Sequence, residues 1–238
     1  IPIQKDNLTW DLNFSFTYNQ NKITHLNNVS DNGVGLFSDA TLVNTVGYSR
    51  NTFYLYHQVY DTTGKPIEDQ MLDVNRDGLT NAKDRYITNK SALPKYILGF
   101  STNVQYLKWN AGVSFHANIG HYLYYKPSDN SISITGWQTS QNMNTAYYAS
   151  LFSHTNQYEA YSDYYLQNAS FLKMDNIYLG YSFGKLFTGS DATLKLNFSV
   201  QNIFTITDYT GQDPEASSGY QNAYPVPRVF AFGLNLNF

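Results

Sequence analysis

From residue 8 to residue 18, Leu8, Trp10, Leu12, Phe14, Phe16 and Tyr18 alternate with Thr9, Asp11, Asn13, Ser15 and Thr17. A period of two places the first set on one face of an extended strand and the second on the other. The same alternation returns in Tyr96, Leu98, Phe100, Val104 and Tyr106 against Ser101, Asn103 and Gln105. Trp109, Ala111, Val113, Phe115 and Ala117 then oppose Asn110, Ser114, His116 and Asn118, and Leu194, Leu196, Phe198 and Val200 oppose Lys195, Asn197, Ser199 and Gln201. Phe230, Phe232, Leu234, Leu236 and Phe238 close the chain in the same manner. Between Phe171 and Phe183 the phase changes, with Leu172 and Met174 in one register and Ile177, Leu179, Tyr181 and Phe183 in the other. One extra residue near Asp175-Asn176, a β-bulge, restores the pattern. Thr41 to Tyr48 and Phe53 to Tyr60 are shorter candidates and bring the expected total to about eight strands.

Two architectures give such strands. A soluble sandwich turns the apolar face to a shared core and uses strands of about 5 to 6 residues. A membrane barrel turns it to lipid and uses strands of about 9 to 11. The run from Trp10 to Tyr18 covers roughly 26 Å, or roughly 20 Å along the membrane normal at a tilt near 40°. That is close to an apolar band between two aromatic girdles. The connectors favour the barrel too. Tyr106-Leu107-Lys108-Trp109 and Gly184 to Asp191 are short, whereas 61–94, 119–167 and 205–227 are long. Outer-membrane barrels have short periplasmic turns and long external loops. A periplasmic C-terminus puts all three long connectors outside, and the 20–40 connector stays unassigned.

Composition sharpens the choice. Among 238 residues, 17% are aromatic, with 22 Tyr and 15 Phe, and 14% are charged. A net charge of −3 offers no basic field for nucleic acid. The absence of cysteine removes disulfide scaffolds, thiolate metal sites and a cysteine nucleophile. No apolar run approaches the roughly 18 residues of a membrane helix, which leaves strands as the only way across a bilayer.

Several segments in this order resemble the C-terminal part of SusC/RagA-family TonB-dependent outer-membrane transporters of the Bacteroidetes type. They are Phe14-Ser15-Phe16-Thr17-Tyr18-Asn19-Gln20-Asn21-Lys22-Ile23, Asp73-Val74-Asn75-Arg76-Asp77-Gly78-Leu79-Thr80 with Asp84-Arg85-Tyr86, and Pro94-Lys95-Tyr96-Ile97-Leu98-Gly99-Phe100. Phe171 to Tyr181, Val200 to Tyr209 and Tyr224-Pro225-Val226-Pro227-Arg228 complete the set. The resemblance implies an all-β fold in which residues 1–238 form part of an antiparallel transmembrane barrel, about eight C-terminal strands of a plugged barrel of roughly 22. The family's plug and its TonB-contacting segment have no counterpart in these residues. The implied activity is uptake of large nutrient oligomers, oligopeptides or oligosaccharides, across a bacterial outer membrane. The implied partners are the upstream plug and barrel, a SusD/RagB-like lipoprotein lid, and the TonB-ExbB-ExbD complex acting through the upstream segment. The alternative is a soluble β-sandwich binding module carrying a calcium loop.

That loop is Asp73-x-Asn75-x-Asp77-Gly78, with the Leu79 carbonyl at position seven and Asp84 at position twelve. Hard oxygen ligands at this spacing suit calcium. Asp at position twelve shortens the usual arm, and no helices flank the loop, so a turn capped by its own Asx hydrogen bonds competes. No cofactor is required by the transporter reading. His25, His57, His116, His121 and His154 have no metal-ligand spacing, and the lumen side of a strand suits His116. His154 and Asp163 share a loop without a nucleophile motif, and Asp129, Glu159, Asp208, Asp213 and Glu215 fit solvated loop charges better than a glycosidase pair. An enzyme is therefore not expected. Phe238 is the terminal aromatic that barrel-assembly machinery recognises in the family, and it also completes the apolar face of the last strand. Arg228, after Pro225 and Pro227, fits a structural role at the start of that strand.

Overall fold

The computed structural model describes residues 2–27, 33–125, 152, 161–185, 191–216 and 226–237. In chain order its strands are β1 (Pro2–Lys5), β2 (Leu8–Tyr18), β3 (Leu36–Phe37), β4 (Leu42–Asn44), β5 (Thr52–Leu55), β6 (Gln58–Tyr60), β7 (Pro66–Met71) and β8 (Tyr86–Ser91). They continue with β9 (Tyr96–Tyr106), β10 (Trp109–Ile119), β11 (Tyr122–Tyr124), β12 (Leu166–Asn168), β13 (Phe171–Lys185), β14 (Thr193–Thr207) and β15 (Val229–Asn237).

Seven of these form one antiparallel sheet in the order β1-β2-β9-β10-β13-β14-β15, hereafter the wall. Register aligns the apolar positions into rows, because directly paired residues share a face. Phe14 pairs Phe100, which pairs Phe115. Trp10, Val104, Ala111, Leu179, Phe198 and Phe232 make a second row. These side chains are not covered: Phe14 is 70% exposed and Phe232 72%. Among the described residues no second sheet lies over them. The opposite face is small and polar, in rows such as Asn13-Ser101-Ser114-Asn176-Gln201. The expected bulge is present. Ser114 pairs Asn176 while Phe115 pairs Met174, which leaves Asp175 as the extra residue.

Both kinds of connector fall where the lengths place them. The tight β9–β10 turn at Leu107-Lys108, with Leu107 at φ 54, and the β13–β14 connection lie at the end that also holds Asn237. Residues 19–95, 120–170 and 208–228 all leave from the other end.

Two expected strands do not belong to the wall. Thr41 to Tyr48 and Phe53 to Tyr60 contribute β4, β5 and β6, and the wall has seven strands rather than about eight. The reason is visible in burial. All four residues of β5 are buried, so both its faces are covered, whereas a wall strand hides only its position in the sheet. Strands β3-β4-β5-β8 form a four-stranded sheet, and β6-β7 and β11-β12 form two-stranded sheets. Leu42, Phe53, Leu55, Tyr124, Phe152 and Tyr165 pack into one core between residues of the first two long connectors. The 20–40 connector therefore leads into a cap with its own hydrophobic centre.

Candidate functional site

The polar face of the wall is built by substitution of small residues opposite large ones. A Cβ at Gly112 would meet the Tyr178 ring at 2.5 Å, and the Tyr178 hydroxyl crosses to donate to Asn103 Oδ1 at 3.1 Å. A Cβ at Gly180 would strike the amides of Asn110 and Asn197. Glycine here allows long amide and phenol side chains to lie flat across neighbouring strands. The result is a surface of hydroxyls and amides with few charges; Asp11 and Lys195 lie toward the end that holds Asn237, and a cluster of charges lies near the cap end.

There the Asp175 bulge aims its carboxylate at His116 Nδ1, with both oxygens at 2.8 Å. His116 Nε2 lies 2.8 Å from Glu215 Oε1, and Lys173 donates to Glu215 Oε2. Glu215 belongs to the third long connector, so this chain of charges holds residues 208–216 against the wall. Burial alone would raise the Glu215 carboxyl, but Lys173 and His116 hold it below its usual value. Beside it the buried His121 Nε2 faces the Pro214 carbonyl at 3.1 Å, and burial lowers its pKa. Of the carboxylates read as solvated loop charges, Glu215 is thus engaged, while Asp129 and Glu159 lie outside the described residues.

In the cap, Asp163 ties three elements together. Its Oδ2 is 2.6 Å from His57 Nδ1 and accepts the Tyr86 hydroxyl at 2.7 Å, while Oδ1 accepts the Gln58 N–H at 2.9 Å. Burial and then Asp163 push the Tyr86 hydroxyl well up. The partner of Asp163 is therefore His57 from the first connector, and His154 lies outside the described residues. Arg85 donates to the Ala40 and Tyr54 carbonyls and lies 4.5 Å from the Tyr54 ring centre and 5.4 Å from that of Tyr161. Both clusters work as cross-links between distant segments, and neither has a local sequence signature.

The 73–84 loop is held by its own backbone. Asp73 Oδ1 accepts the Arg76 N–H at 2.6 Å and Oδ2 accepts that of Gly78 at 2.8 Å. Asn75 Oδ1 accepts Asp77 N–H, and Asp77 Oδ1 accepts Leu79 N–H. The Leu79 N–H bond, followed by those from Asn75 and Asn81, depresses the Asp77 carboxyl. Fully buried Asp84 accepts Val74 and Asn75 on one oxygen and Asn81 on the other. It faces the backbone, and no three acidic or histidine side chains converge to hold a metal ion among the described residues. Asp73, Asn75, Asp77, Leu79 and Asp84 carry the calcium spacing, and as arranged the four side chains among them each accept backbone N–H groups of the loop itself. Phe238 lies outside the described residues.

No family model matches the chain. Over its whole length it is 36% identical to the TonB-dependent receptor SusC of Bacteroides thetaiotaomicron, where it covers 25% of that protein. TonB-dependent receptor P3 of Formosa agariphila is 24% identical over 99% of the chain, which covers 27% of it. The chain thus spans about a quarter of the length of these relatives. Among solved structures, the RagAB peptide transporter superposes on all of the chain with a TM-score of 0.75 at 19% identity, the chain covering 28% of that one. The RagAB peptide importer in its open-open state gives 0.72 at 21%, again over the whole chain and over 27% of the neighbour.

Proposed function

The chain is SusC/RagA-like over its full length, and from that premise we propose that it forms part of the wall and external cap of a TonB-dependent transporter in a bacterial outer membrane. The observation that carries the proposal is the 36% identity to SusC together with a wall whose apolar face is bare. Such a face suits contact with lipid. The cargo is a polar oligomer, a peptide or a glycan. A face of amides and hydroxyls offers many neutral donors and acceptors and little net field, which suits such chains better than ions. A SusD/RagB-like lipoprotein acts as lid over the cap, and TonB drives the cycle through parts of the transporter upstream of these residues. The 73–84 loop supports the cap as a carboxylate-stapled turn and does not depend on calcium for its shape.

Extraction of the native complex in mild detergent, followed by mass spectrometry of what copurifies, tests this reading. The expected companions are a plug-bearing barrel portion, a SusD/RagB-like lipoprotein and a bound oligomer whose mass names the substrate class. Recovery of the chain alone as a water-soluble monomer would overturn it. Chelation of divalent cations is expected to leave the thermal midpoint of the cap unchanged. A fall of several degrees would show that the loop is a calcium site after all.

A further inference from the structure

Where the wall meets the cap, a polar cavity of about 570 Å³ opens between the ends of β2 and β9 and the segment around Lys90. Three lysines line it, Lys22, Lys90 and Lys95, and no carboxylate does. In a chain with more acidic than basic residues, a cavity with three cations and no counter-charge in its lining is unusual. None of the three makes an ion pair with another described residue. All three are exposed, but two of them lean on the protein. Lys90 Nζ is 4.8 Å from the Tyr122 ring centre, and the stem of Lys95 lies along Gly120, where a Cβ would come within 3.3 Å of it. Both side chains therefore rest on the protein while lining the same cavity.

The position of the cavity points to its occupant. Tyr18 and Tyr96 form one side of it, their rings 5.3 Å apart. They are the last members of the lipid-facing rows of β2 and β9, at the end from which the long connectors leave. Tyrosines at the ends of barrel strands sit at the level of the lipid headgroups. Lysines at that level attract anionic headgroups, each strengthening association about fivefold. Asn21, Ser49, Asn89 and Ser91 add neutral hydrogen-bonding groups around the same space.

We infer that this cavity binds a phosphate-bearing headgroup of the outer leaflet, with the three lysines taking the phosphate and the amides and hydroxyls taking the sugar or glycerol to which it is attached. The inference rests on the membrane-spanning reading of the wall but not on the identity of the cargo.

The test uses the full-length receptor in nanodiscs, with native mass spectrometry counting retained lipid. The probes are a phosphorylated lipid A, the same lipid with its phosphates removed, and inorganic phosphate alone. The wild type is expected to retain the phosphorylated lipid at least tenfold better than the dephosphorylated one. Combined Lys22→Gln, Lys90→Gln and Lys95→Gln substitution is expected to abolish that preference, and the corresponding triple Lys→Arg variant to keep it. The arginine variant also controls for folding, since it keeps the charge on a side chain of comparable length. Equal retention of the two lipids, or an undiminished preference in the glutamine variant, overturns the proposal. Displacement of the lipid by inorganic phosphate at millimolar concentration would assign the site to a soluble phosphate and overturn the lipid source. Copurification of the lipoprotein and oligomer stays an independent readout of the transporter reading.

Discussion

The wall and the cap draw on the same aromatic side chains and put them to opposite uses. In the wall, Phe14 and Phe232 are 70% and 72% exposed, and on the transporter reading the face they form is stable because the solvent on that side is hydrocarbon. In the cap, Phe53 has no exposed surface and sits among Leu42, Leu55, Tyr124 and Tyr165 as in any water-soluble domain. The consequence is a difference in where stability comes from. The wall relies on long ladders of backbone hydrogen bonds, since lipid gives no reward for bringing apolar side chains together. The cap relies on removing apolar surface from water.

The contrast is broken most directly by removing a ring from each region. Phe53→Ala opens a cavity in a packed core and is expected to destabilise the cap by about 3–5 kcal/mol, read as accelerated proteolysis of residues 33–95 in the full-length receptor. Phe14→Ala leaves lipid to fill the gap, so its effect should be much smaller. Equal losses at the two positions would mean that the wall face is covered by protein. Charge reverses the ranking within the wall. Phe14→Arg, near the middle of β2, is expected to cost about 2–4 kcal/mol in refolding into bilayers, and Phe14→Leu close to nothing.

The two regions also differ in how much of them is legible from the chain alone. A wall strand is a single long segment whose faces see different media, so its side chains alternate and even the Asp175 bulge can be placed by the phase change between Met174 and Ile177. The cap is made from strands of two to six residues contributed by distant connectors, and β5 is buried on both faces. Its hydrophobic pattern therefore has no period, and Phe53 to Tyr60 reads as one more wall strand. The cross-links are less legible still. His57 and Asp163 are 106 residues apart, and His116 and Glu215 are 99 apart. No spacing rule connects such pairs, because the connectors that bring them together vary freely in length. The 73–84 turn lies at the other extreme, since its Asx residues act on backbone within a few positions of themselves.

That turn gives a finer division inside the cap. Asp84 is buried and serves three backbone N–H groups, whereas Asp77 is exposed. Asp84→Asn turns an amide NH₂ toward donors on one side and is expected to cost about 1–3 kcal/mol in cap unfolding. Asp77→Asn, whose oxygen still accepts from Leu79, should change it far less.

Acid separates wall from cap with the smallest effect. The carboxyls of Asp77 and Asp61 are held below their ordinary 3.8, Asp77 first by the Leu79 N–H and Asp61 first by the Thr63 hydroxyl and then the Lys65 N–H. A carboxyl with a depressed folded-state pKa binds its proton more readily in the unfolded chain. Its contribution is therefore complete well above 3.8 and fades as pH falls below 3.8 toward the folded value. Hydrogen exchange at the Leu79, Thr63 and Lys65 amides should accelerate over that window, after correction for the intrinsic pH dependence. Amides in the middle of β9 and β10 should not respond, because their partners are backbone carbonyls, which do not titrate. Acceleration in both places at the same pH would mean that wall and cap open as one unit, and the division between them would then be one of solvent alone.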